Sequence, residues 1–365
     1  YSFSTARSSS NRCSKPTFDD RRLVVETESK EHSVKDPFAF QSAGRRNYFE
    51  GWYFKNVAPD GQAYSFIPGV SYDREGAGHA FVQVIRGADG QTAYSRYALS
   101  EFDASSTSFH ARVGANSFGR DGLIVDLPDA FGGIRGSLRY GANRRIERSL
   151  LRPGIMGWYR HVPFMECYHE VGSVAHDVYG SLEIDGSTVD FGAAPVAGQP
   201  GRATPSDGSR VGRGYLEKDW GTSMPTSWVW IQGNGFPDAS VSVMISVARI
   251  PWLGRSFTGF LGFVATRDRV FQFGTYSRAR IDELSTDGTA VTVVVKAGAT
   301  TVRIQGERTH TGLLAAPVGG AMDRRIAESL DASLRLIVTD RDAVVVDTAG
   351  GAAGIELVGD IDSLR

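Results

Sequence analysis

The segment SVSVMISVARI (residues 240–250) alternates apolar side chains with small or flexible ones. Val241, Val243, Ile245 and Val247 occupy one set of positions, and Ser242, Met244 and Ser246 occupy the other. Successive side chains of a β-strand point to opposite faces of its sheet, so a two-residue period predicts a strand with one face in an apolar core. This segment therefore predicts β structure at the centre of the chain.

Similar patterns, each typical of a strand, occur in the sequence on both sides of this segment. Short runs of about 6–11 residues, rich in Val, Ile, Phe, Tyr and Thr, are separated by Gly, Asp-Gly or Pro-Asp-Gly. Residues 59–61, 88–90 and 185–186 predict hairpin turns. Helical periodicity is confined to AMDRRIAESLDASL (321–334), which predicts one short helix on the surface or at a barrel end. The 43 glycines suit many tight turns. The pattern predicts an all-β, antiparallel fold of barrels or sandwiches with few short helices.

A chain of 365 residues is long for one small core and predicts two domains of similar size. We expect a flexible N-terminal arm over 1–40 and a β domain over 41–195. A Gly/Pro-rich loop over 196–213 then leads to a second β domain over 214–365.

The N-terminal sixteen residues are rich in Ser and Arg and lack acids. This composition fits the remnant of a plastid transit peptide, and it also fits an ordinary disordered terminus. The expected location is plastidic in the first case, and cytoplasmic if the protein is bacterial.

Charge and cysteine content exclude several classes of function. The formal net charge of −1, without a basic run, predicts no nucleic-acid partner. Two distant cysteines, Cys13 and Cys167, exclude a disulfide framework and a CxxC site. The sequence contains no stretch of about 18 apolar residues, which is the pattern that predicts a membrane span. Peripheral contact with a membrane, to collect an apolar substrate, stays open.

The segment GYLEKDWGTSMPTSWVWIQGNGF (214–236) combines acids with three tryptophans. On a strand, Tyr215, Glu217 and Asp219 share one face, while Lys218 and Trp220 share the other. Two carboxylates about 7 Å apart on one face raise the pKa of one of them. An acid that keeps its proton near neutral pH is suited to general acid catalysis.

After Pro225, one face of the next strand carries aromatic and amide side chains: Trp228, Trp230, Gln232 and Asn234. Two interpretations remain open for this face. The side chains line a binding pocket, or the tryptophans cover the end of a barrel as ordinary packing.

The segment RNYFEGWYFKN (46–56) also combines an acid with aromatic residues. On a strand, Glu50 and Trp52 share one face and Tyr53 lies on the other. A buried carboxylate needs a partner, so Glu50 is either a catalytic group or the structural partner of Arg45 or Arg46.

A third segment, HVPFMECYHEVGSVAHD (161–177), holds three of the seven histidines together with Glu166. The spacing of His161, His169 and His176 matches no zinc motif, so we expect no metal site. Glu166 and His169 are candidate acids or orienting groups, with structural histidines as the alternative. His79, at the start of another strand, is either structural or a pocket residue.

Three blocks resemble the signature of the tocopherol cyclase family, in its bacterial-type branch: YFEGWYFKN (48–56), MECYH (165–169) followed by His176, and YLEKDWGTSMPTSWVWIQGN (215–234). The family is related to carotenoid 1,2-hydratases and lipocalin-like Diels–Alderases. The resemblance implies two lipocalin-like β domains side by side. It also implies a redox-neutral, cofactor-independent isomerase that cyclises a prenylated hydroquinone to a chromanol, as in vitamin E synthesis.

The resemblance and the strand pattern together predict the site. A weakly basic alkene must be protonated by a carboxylic acid in an apolar place, and the resulting carbocation must be shielded from water. The expected catalytic groups are Glu217, Asp219, Glu50, Glu166 and His169. The expected substrate-binding residues are Trp52, Tyr53, His79, Tyr215, Trp220, Trp228, Trp230, Gln232 and Asn234. A hydratase or cyclase of another terpenoid, and a non-catalytic lipocalin-like binder of prenylquinones, are the alternatives.

Overall fold

The computed structural model describes residues 36–41, 44–149, 153–194 and 211–365. Most of the predicted arm (1–35) and of the predicted loop (196–210) lies outside the described residues, as does Cys13.

The described chain consists of strands joined by turns and four short 3-10 helices: Leu99–Glu101, Gly157–His161, Thr275–Ser277 and Asp362–Leu364. The strands are β1 (Tyr48–Val57), β2 (Ala63–Tyr72), β3 (Gly78–Arg86), β4 (Thr92–Tyr97), β5 (Phe102–Ala104), β6 (His110–Val113), β7 (Asn116–Gly119), β8 (Gly122–Leu127), β9 (Ile134–Tyr140), β10 (Cys167–Ile184), β11 (Ser187–Asp190), β12 (Gly212–Gly221), β13 (Trp228–Gly233), β14 (Ser242–Trp252), β15 (Arg255–Ala265), β16 (Val270–Gly274), β17 (Arg280–Thr286), β18 (Ala290–Ala297), β19 (Thr300–Glu307), β20 (Gly312–Val318), β21 (Ala321–Asp340) and β22 (Ala343–Val358). The all-β prediction is confirmed.

The strands form two antiparallel sheets. The first sheet has 12 strands in the order β4-β3-β2-β1-β12-β10-β9-β8-β7-β6-β5, with β11 paired to β10. The second has 10 strands in the order β16-β15-β14-β13-β22-β21-β19-β18-β17, with β20 paired to β21. Both belong to one compact unit spanning 35–365. The division into two domains stays a prediction, but its boundary at 214 cuts β12, which pairs with β1 and β10 of the first sheet.

Three apolar clusters follow from the alternation of side chains along the strands. One lies within the first sheet and contains Trp52 and Phe54. Another lies within the second sheet and contains Val243 and Ile245. The third lies between the sheets and contains residues of the opposite strand faces, including Tyr53, Trp228, Trp230 and Met244. The alternation read from 240–250 therefore assigns its two faces correctly, one to a sheet core and one to the space between sheets.

The helix predicted over 321–334 is wrong, because this segment lies within β21. The register of β21 against β22 shifts between Ser329 and Ala332 and again between Ala332 and Leu334. The buried residues Ile326, Leu330 and Leu334 are four residues apart, a spacing that fits one face of a helix as well as alternate positions of a strand. The predicted hairpin at 185–186 is confirmed between β10 and β11, with positive φ at both Asp185 and Gly186.

A fully buried ion pair joins β1 to β12 inside the first sheet. Lys218 Nζ lies 2.6 Å from Glu50 Oε1, and both side chains are completely buried. Tyr48 donates a hydrogen bond to Glu50 Oε2, the backbone N–H of Gln41 donates to Oε1 at 2.9 Å, and Lys218 also donates to the carbonyl of Ala39 at 2.6 Å. Glu50 is therefore a structural partner, although of Lys218 rather than of Arg45 or Arg46.

We predict that Lys218→Met lowers the free energy of unfolding by about 3–5 kcal/mol, because it leaves the Glu50 carboxylate buried without its cation. The double variant Lys218→Met/Glu50→Gln is expected to recover most of this loss. Urea unfolding curves measure both effects. Lys296→Met, which removes an exposed partner of Asp282, is the control and should change little. A small loss for Lys218→Met, similar to this control, would contradict the prediction.

Candidate active site

A cavity of about 170 Å³ lies between the two sheets, in the third apolar cluster. Its walls are mainly aromatic and aliphatic. Six of the residues selected from the sequence line it: Tyr53, His169, Glu217, Asp219, Trp228 and Trp230. The side-chain amide of Gln83 on β3 closes one wall by donating to the carbonyl of Ala315 at 3.0 Å and accepting from its N–H at 2.8 Å. The cavity is therefore built from both sheets, with an acidic interior.

Glu217 projects from β12 into this cavity and is 5% exposed. Three groups approach its Oε2 atom: the Tyr215 hydroxyl at 2.7 Å, the Trp230 indole N–H at 3.3 Å and His169 Nε2 at 3.5 Å. Burial raises the pKa of Glu217 to about 7, and the charge of Asp219 acts in the same direction against the opposing effect of His169. Because these contacts all involve Oε2, Oε1 is the oxygen suited to carry a proton.

His169 on β10 bridges the two acids of β12. Its Nδ1 lies 2.9 Å from Asp219 Oδ1, across the register pair that joins the two residues. Burial acts against a charged ring, but the carboxylates of Asp219 and Glu217 outweigh it and raise the pKa of His169 to about 9. His169 is therefore an imidazolium at neutral pH, paired first with Asp219.

Two further acids line the cavity, Glu328 on β21 and Glu356 on β22. They are direct cross-strand partners. The Tyr53 hydroxyl donates to Glu328 Oε1, and the Trp228 indole N–H donates to Glu356 Oε2. Burial raises the pKa of each to about 8, and the neighbouring acid adds to the rise for Glu328. One proton on this pair is therefore retained near neutral pH.

Our sequence analysis missed both of these acids. The signal was present, because Glu328 is in phase with Ile326 and Leu330 along β21, and Glu356 is in phase with Val358 along β22. A carboxyl group at an apolar position of an alternating strand marks a buried acid. The mistaken helix over 321–334 concealed this phase for Glu328.

Lys55 is a buried amine that does not line the cavity but interacts with the charges of Glu328 and Glu217. Its Nζ donates to Gln232 Oε1 at 2.6 Å, and the side chain is fully buried. Burial lowers the pKa of Lys55 to about 7, although Glu328 and Glu217 oppose the shift. Gln232 thus orients Lys55 and does not line the cavity.

Three residues expected in the pocket lie on the opposite face of the same strands. Glu50, Trp52 and Trp220 face the interior of the first sheet, where Trp52 donates to the carbonyl of Phe38 at 2.9 Å. The reason is the register of β1 against β12, which pairs Glu50 with Trp220. Phe49, Gly51 and Tyr53 line the cavity instead. The expectation of Glu50 as a catalytic group, and of Trp52 and Trp220 as substrate contacts, is corrected by this register.

The remaining expected residues surround the cavity without lining it, or lie away from it. Tyr215 is buried behind Glu217 as its hydrogen-bond donor. Asn234 donates to the carbonyl of Gly214 at 3.1 Å. His79 contacts the Tyr94 hydroxyl at 2.6 Å, and burial lowers its pKa to about 4. The side chain of Glu166 is exposed, which corrects its expected role as an acid.

His169, Glu217 and Asp219 are the described residues whose ligand atoms lie within 4.8 Å of one another, close enough to hold a metal ion. An imidazole binds a metal only when it is neutral. A proton on His169 would therefore compete with a metal ion for this cluster, and the absence of a metal site stays a prediction. His161 and His176 do not join this cluster.

The fold and site together define an all-β protein with an acid-lined apolar cavity between two antiparallel sheets. No protein-family model matches the chain. The chloroplastic tocopherol cyclase of Zea mays is 32% identical over 92 residues, and a protein of Oryza sativa subsp. japonica provisionally given the same name is 29% identical over 92 residues. Each match covers 25% of this chain and only 16% of the relative.

Two solved structures resemble the chain along most of its length. A protein of Nitrosomonas europaea provisionally named AttH has a TM-score of 0.48 at 13% identity, covering 88% of this chain and 94% of that one. Kievitone hydratase from Nectria haematococca has a TM-score of 0.44 at 10% identity, covering 86% and 90%. No helix among the described residues is long and apolar enough to cross a membrane.

We predict that the stability difference between the wild type and Glu328→Gln depends on pH. The folded-state pKa of about 8 lies above the ordinary value of 4.5. The acid therefore stabilises the fold fully below pH 4.5, and this contribution is lost as the pH rises through about 8. Between pH 5 and pH 8 the wild type should lose up to about 1.4 kcal/mol per pH unit relative to the variant.

Urea unfolding of both proteins at pH 5 and pH 8 measures this difference. Glu166→Gln, at an exposed acid, is the matched control and should show the same difference at both values. A pH-independent difference for Glu328→Gln would mean that this carboxyl group titrates normally in the fold.

Proposed function

We propose that the protein is an enzyme that protonates the alkene of a prenylated substrate, as a tocopherol cyclase-like isomerase. In the proposed reaction, a prenylated hydroquinone is cyclised to a chromanol without net oxidation or reduction. The observation that carries the proposal is the buried Glu217 carboxyl group, which retains a proton near pH 7 in an apolar cavity. The sequence similarity to tocopherol cyclases supports the same reaction.

Glu217 is the proposed proton donor. An alkene is a very weak base, so the donor must be a neutral acid with little access to water. Transfer of the Oε1 proton to the prenyl double bond leaves a tertiary carbocation and a Glu217 carboxylate. Imidazolium His169 and the hydroxyl of Tyr215, both near Oε2, stabilise that carboxylate as it forms. Asp219 holds His169 in the charged form.

Trp230 is the proposed stabiliser of the carbocation. Aromatic rings offer negative potential without a nucleophilic lone pair, worth about 2 kcal/mol or more in a desolvated site. One side of Trp228 already carries the Arg324 guanidinium, 5.0 Å from the ring centre. We therefore assign cation stabilisation mainly to Trp230, with Trp228 as the donor that orients Glu356.

The Glu328–Glu356 pair is proposed to receive the proton of the phenol. Attack of the phenol oxygen on the carbocation forms the new C–O bond and releases one proton. A carboxylate of this pair is available to accept it once one of the two acids is ionised, which becomes more frequent as the pH approaches about 8. Tyr53, which donates to Glu328, positions that acid beside the cavity. Return of the proton to Glu217 completes a cycle that requires no redox cofactor.

Replacing the proposed donor tests the assignment. Glu217→Gln preserves the shape and the acceptor at this position but removes the acidic proton, so we predict a fall in kcat of about 100-fold or more. Glu166→Gln changes an exposed acid directly before β10 and should retain wild-type turnover. If Glu217→Gln cyclises the substrate at a rate near that of the wild type, another group donates the proton.

The pH dependence provides an independent test. The donor must be protonated, so its active fraction falls as the pH rises through the Glu217 pKa of about 7. We predict that kcat/KM declines above about pH 7, approaching tenfold for each further pH unit. A rate that is constant from pH 6 to pH 9 would exclude Glu217 as the acid in the free enzyme.

Product analysis distinguishes the proposal from its alternatives. Incubation with geranylgeranyl- or phytyl-hydroquinone should give a product of altered chromatographic retention and unchanged mass. A gain of one water would indicate hydration of the same carbocation. Saturable binding without any product, at several pH values, would favour a non-catalytic binder.

A further inference from the structure

The central strand β1 carries a glycine, Gly51, in the interior of its ten residues Tyr48–Val57. A glycine inside a strand loses more conformational freedom on folding than any other residue, and it has no side chain to pack. Such a glycine marks a bulge or bend, a close approach of another backbone, or a place where a ligand comes close. The geometry around Gly51 distinguishes these three explanations.

The backbone of β1 is regular at Gly51. The strand keeps one register on both of its edges, and Gly51 lies opposite Asp219 of β12 and opposite Gly69 of β2. The φ angle of Gly51 lies outside the left-handed region that favours glycine. Any residue could therefore adopt this backbone conformation, and a bulge or an unusual turn does not explain the glycine.

Close packing against the protein does not require a glycine at this position either. Apart from its chain neighbours, a Cβ atom on Gly51 would lie 3.7 Å from the carbonyl oxygen of Pro68 and 3.9 Å from the side chain of Ile67. Both are ordinary van der Waals distances. A Cβ atom on its cross-strand partner Gly69 would instead lie 2.5 Å from the ring of Phe81. Packing therefore explains Gly69, whereas Gly51 has room for a side chain.

The room beside Gly51 belongs to the cavity of the candidate active site. Gly51 lines this cavity together with Phe49 and Tyr53, and it is the one glycine among the described residues that line it. It is also the one residue of β1 that is half-buried, since every other residue of the strand is buried. A side chain at position 51 would therefore project into the cavity on the side of Asp219. Of the three explanations, the approach of a ligand remains.

We propose that the ring of the substrate lies against the backbone of Gly51, and that Gly51 determines how large a ring substituent the cavity accepts. The cavity measures only about 170 Å³, so the volume of a single methyl group on its wall changes which rings fit. The identity of the ring as a hydroquinone rests on the proposed function. The inference adds a specificity-determining residue that takes no part in proton transfer.

The test uses two hydroquinones whose 3-methylbutyl group is saturated, so that neither can be cyclised. One has no further ring substituent, and the other carries methyl groups at all remaining ring carbons. Isothermal titration calorimetry under argon measures the dissociation constant of each, and the wild type should bind both. Gly51→Ala should weaken binding of the methylated compound about tenfold or more, as one methyl group does in a tight apolar pocket. Binding of the compound without ring methyl groups should change less than about threefold. Gly51→Val should increase the difference between the two compounds.

Urea unfolding of the same variants provides a second measurement. Gly51→Ala should raise the urea midpoint, because alanine fits the extended backbone and reduces the conformational freedom of the unfolded chain. We expect a more stable protein that accepts fewer ligands. Gly351→Ala is the matched control, since Gly351 is an exposed glycine of β22 whose Cβ atom would have no neighbour within 4 Å. This control should leave the ratio of the two dissociation constants unchanged.

The proposal is overturned if the wild type binds neither compound, or if Gly51→Ala weakens binding of both by the same factor or of neither. A urea midpoint of Gly51→Ala below that of the wild type would also overturn it, because position 51 would then be closely packed rather than open.

The prenyl counterparts of the two compounds separate this proposal from the proposed function. If Gly51→Ala cyclises both with the wild-type ratio of kcat/KM, the role of Gly51 is contradicted and the reaction stands. If Gly51→Ala discriminates between the saturated compounds but the wild type turns over neither prenylhydroquinone, the reaction is contradicted and the role of Gly51 stands.

Discussion

A buried ionisable side chain must either be paired or change its pKa, and this constraint determines what each face of β12 does. On one face, Lys218 and Glu50 form a completely buried pair, with additional hydrogen bonds from Tyr48 and Gln41. On the other face, Glu217 has hydrogen-bond donors but no full charge partner of its own, since His169 lies closer to Asp219. One side of the strand therefore holds a buried ion pair, and the other side holds a carboxyl group whose pKa is raised to about 7.

The position of β12 in the first sheet makes this possible. It pairs with β1 on one edge and β10 on the other, and only six residues separate its end from β13 of the second sheet. The chain thus brings Glu217 and Trp230 to the same cavity from different sheets. Glu328 and Glu356 lie on the paired strands β21 and β22 of the second sheet, and β22 also pairs with β13. Acids from both sheets meet in a space that neither sheet encloses alone.

Much of this arrangement could be predicted from local sequence. The two-residue period at 240–250 assigns its faces correctly, and alternation along 214–236 groups Glu217 with Asp219 and Trp228 with Trp230. The assignment failed where it required register between distant strands. No feature of residues 46–56 alone shows that Glu50 lies opposite Trp220 in the register of β1 and β12 and faces the interior of the first sheet. Glu50 and Trp52 were therefore wrongly expected to line the cavity. The four-residue spacing of Ile326, Leu330 and Leu334 had a similar effect, because it fits a helix as well as a strand and concealed Glu328, which lies between the first two.

The pairing of Glu328 with Glu356 across β21 and β22, and the cavity that both share with Glu217, make the candidate site a set of coupled groups. The charge of Glu217 raises the pKa of Glu356, and the charge of Glu356 raises the pKa of Glu328, while His169 lowers the pKa of Glu217 and Lys55 lowers that of Glu328. Protons therefore belong to the cluster rather than to single residues. Burial is the largest cause of the raised pKa of each of the three acids, so an apolar ligand that displaces water from the cavity raises it further. In the proposed reaction, arrival of the substrate would itself secure the proton that the reaction consumes.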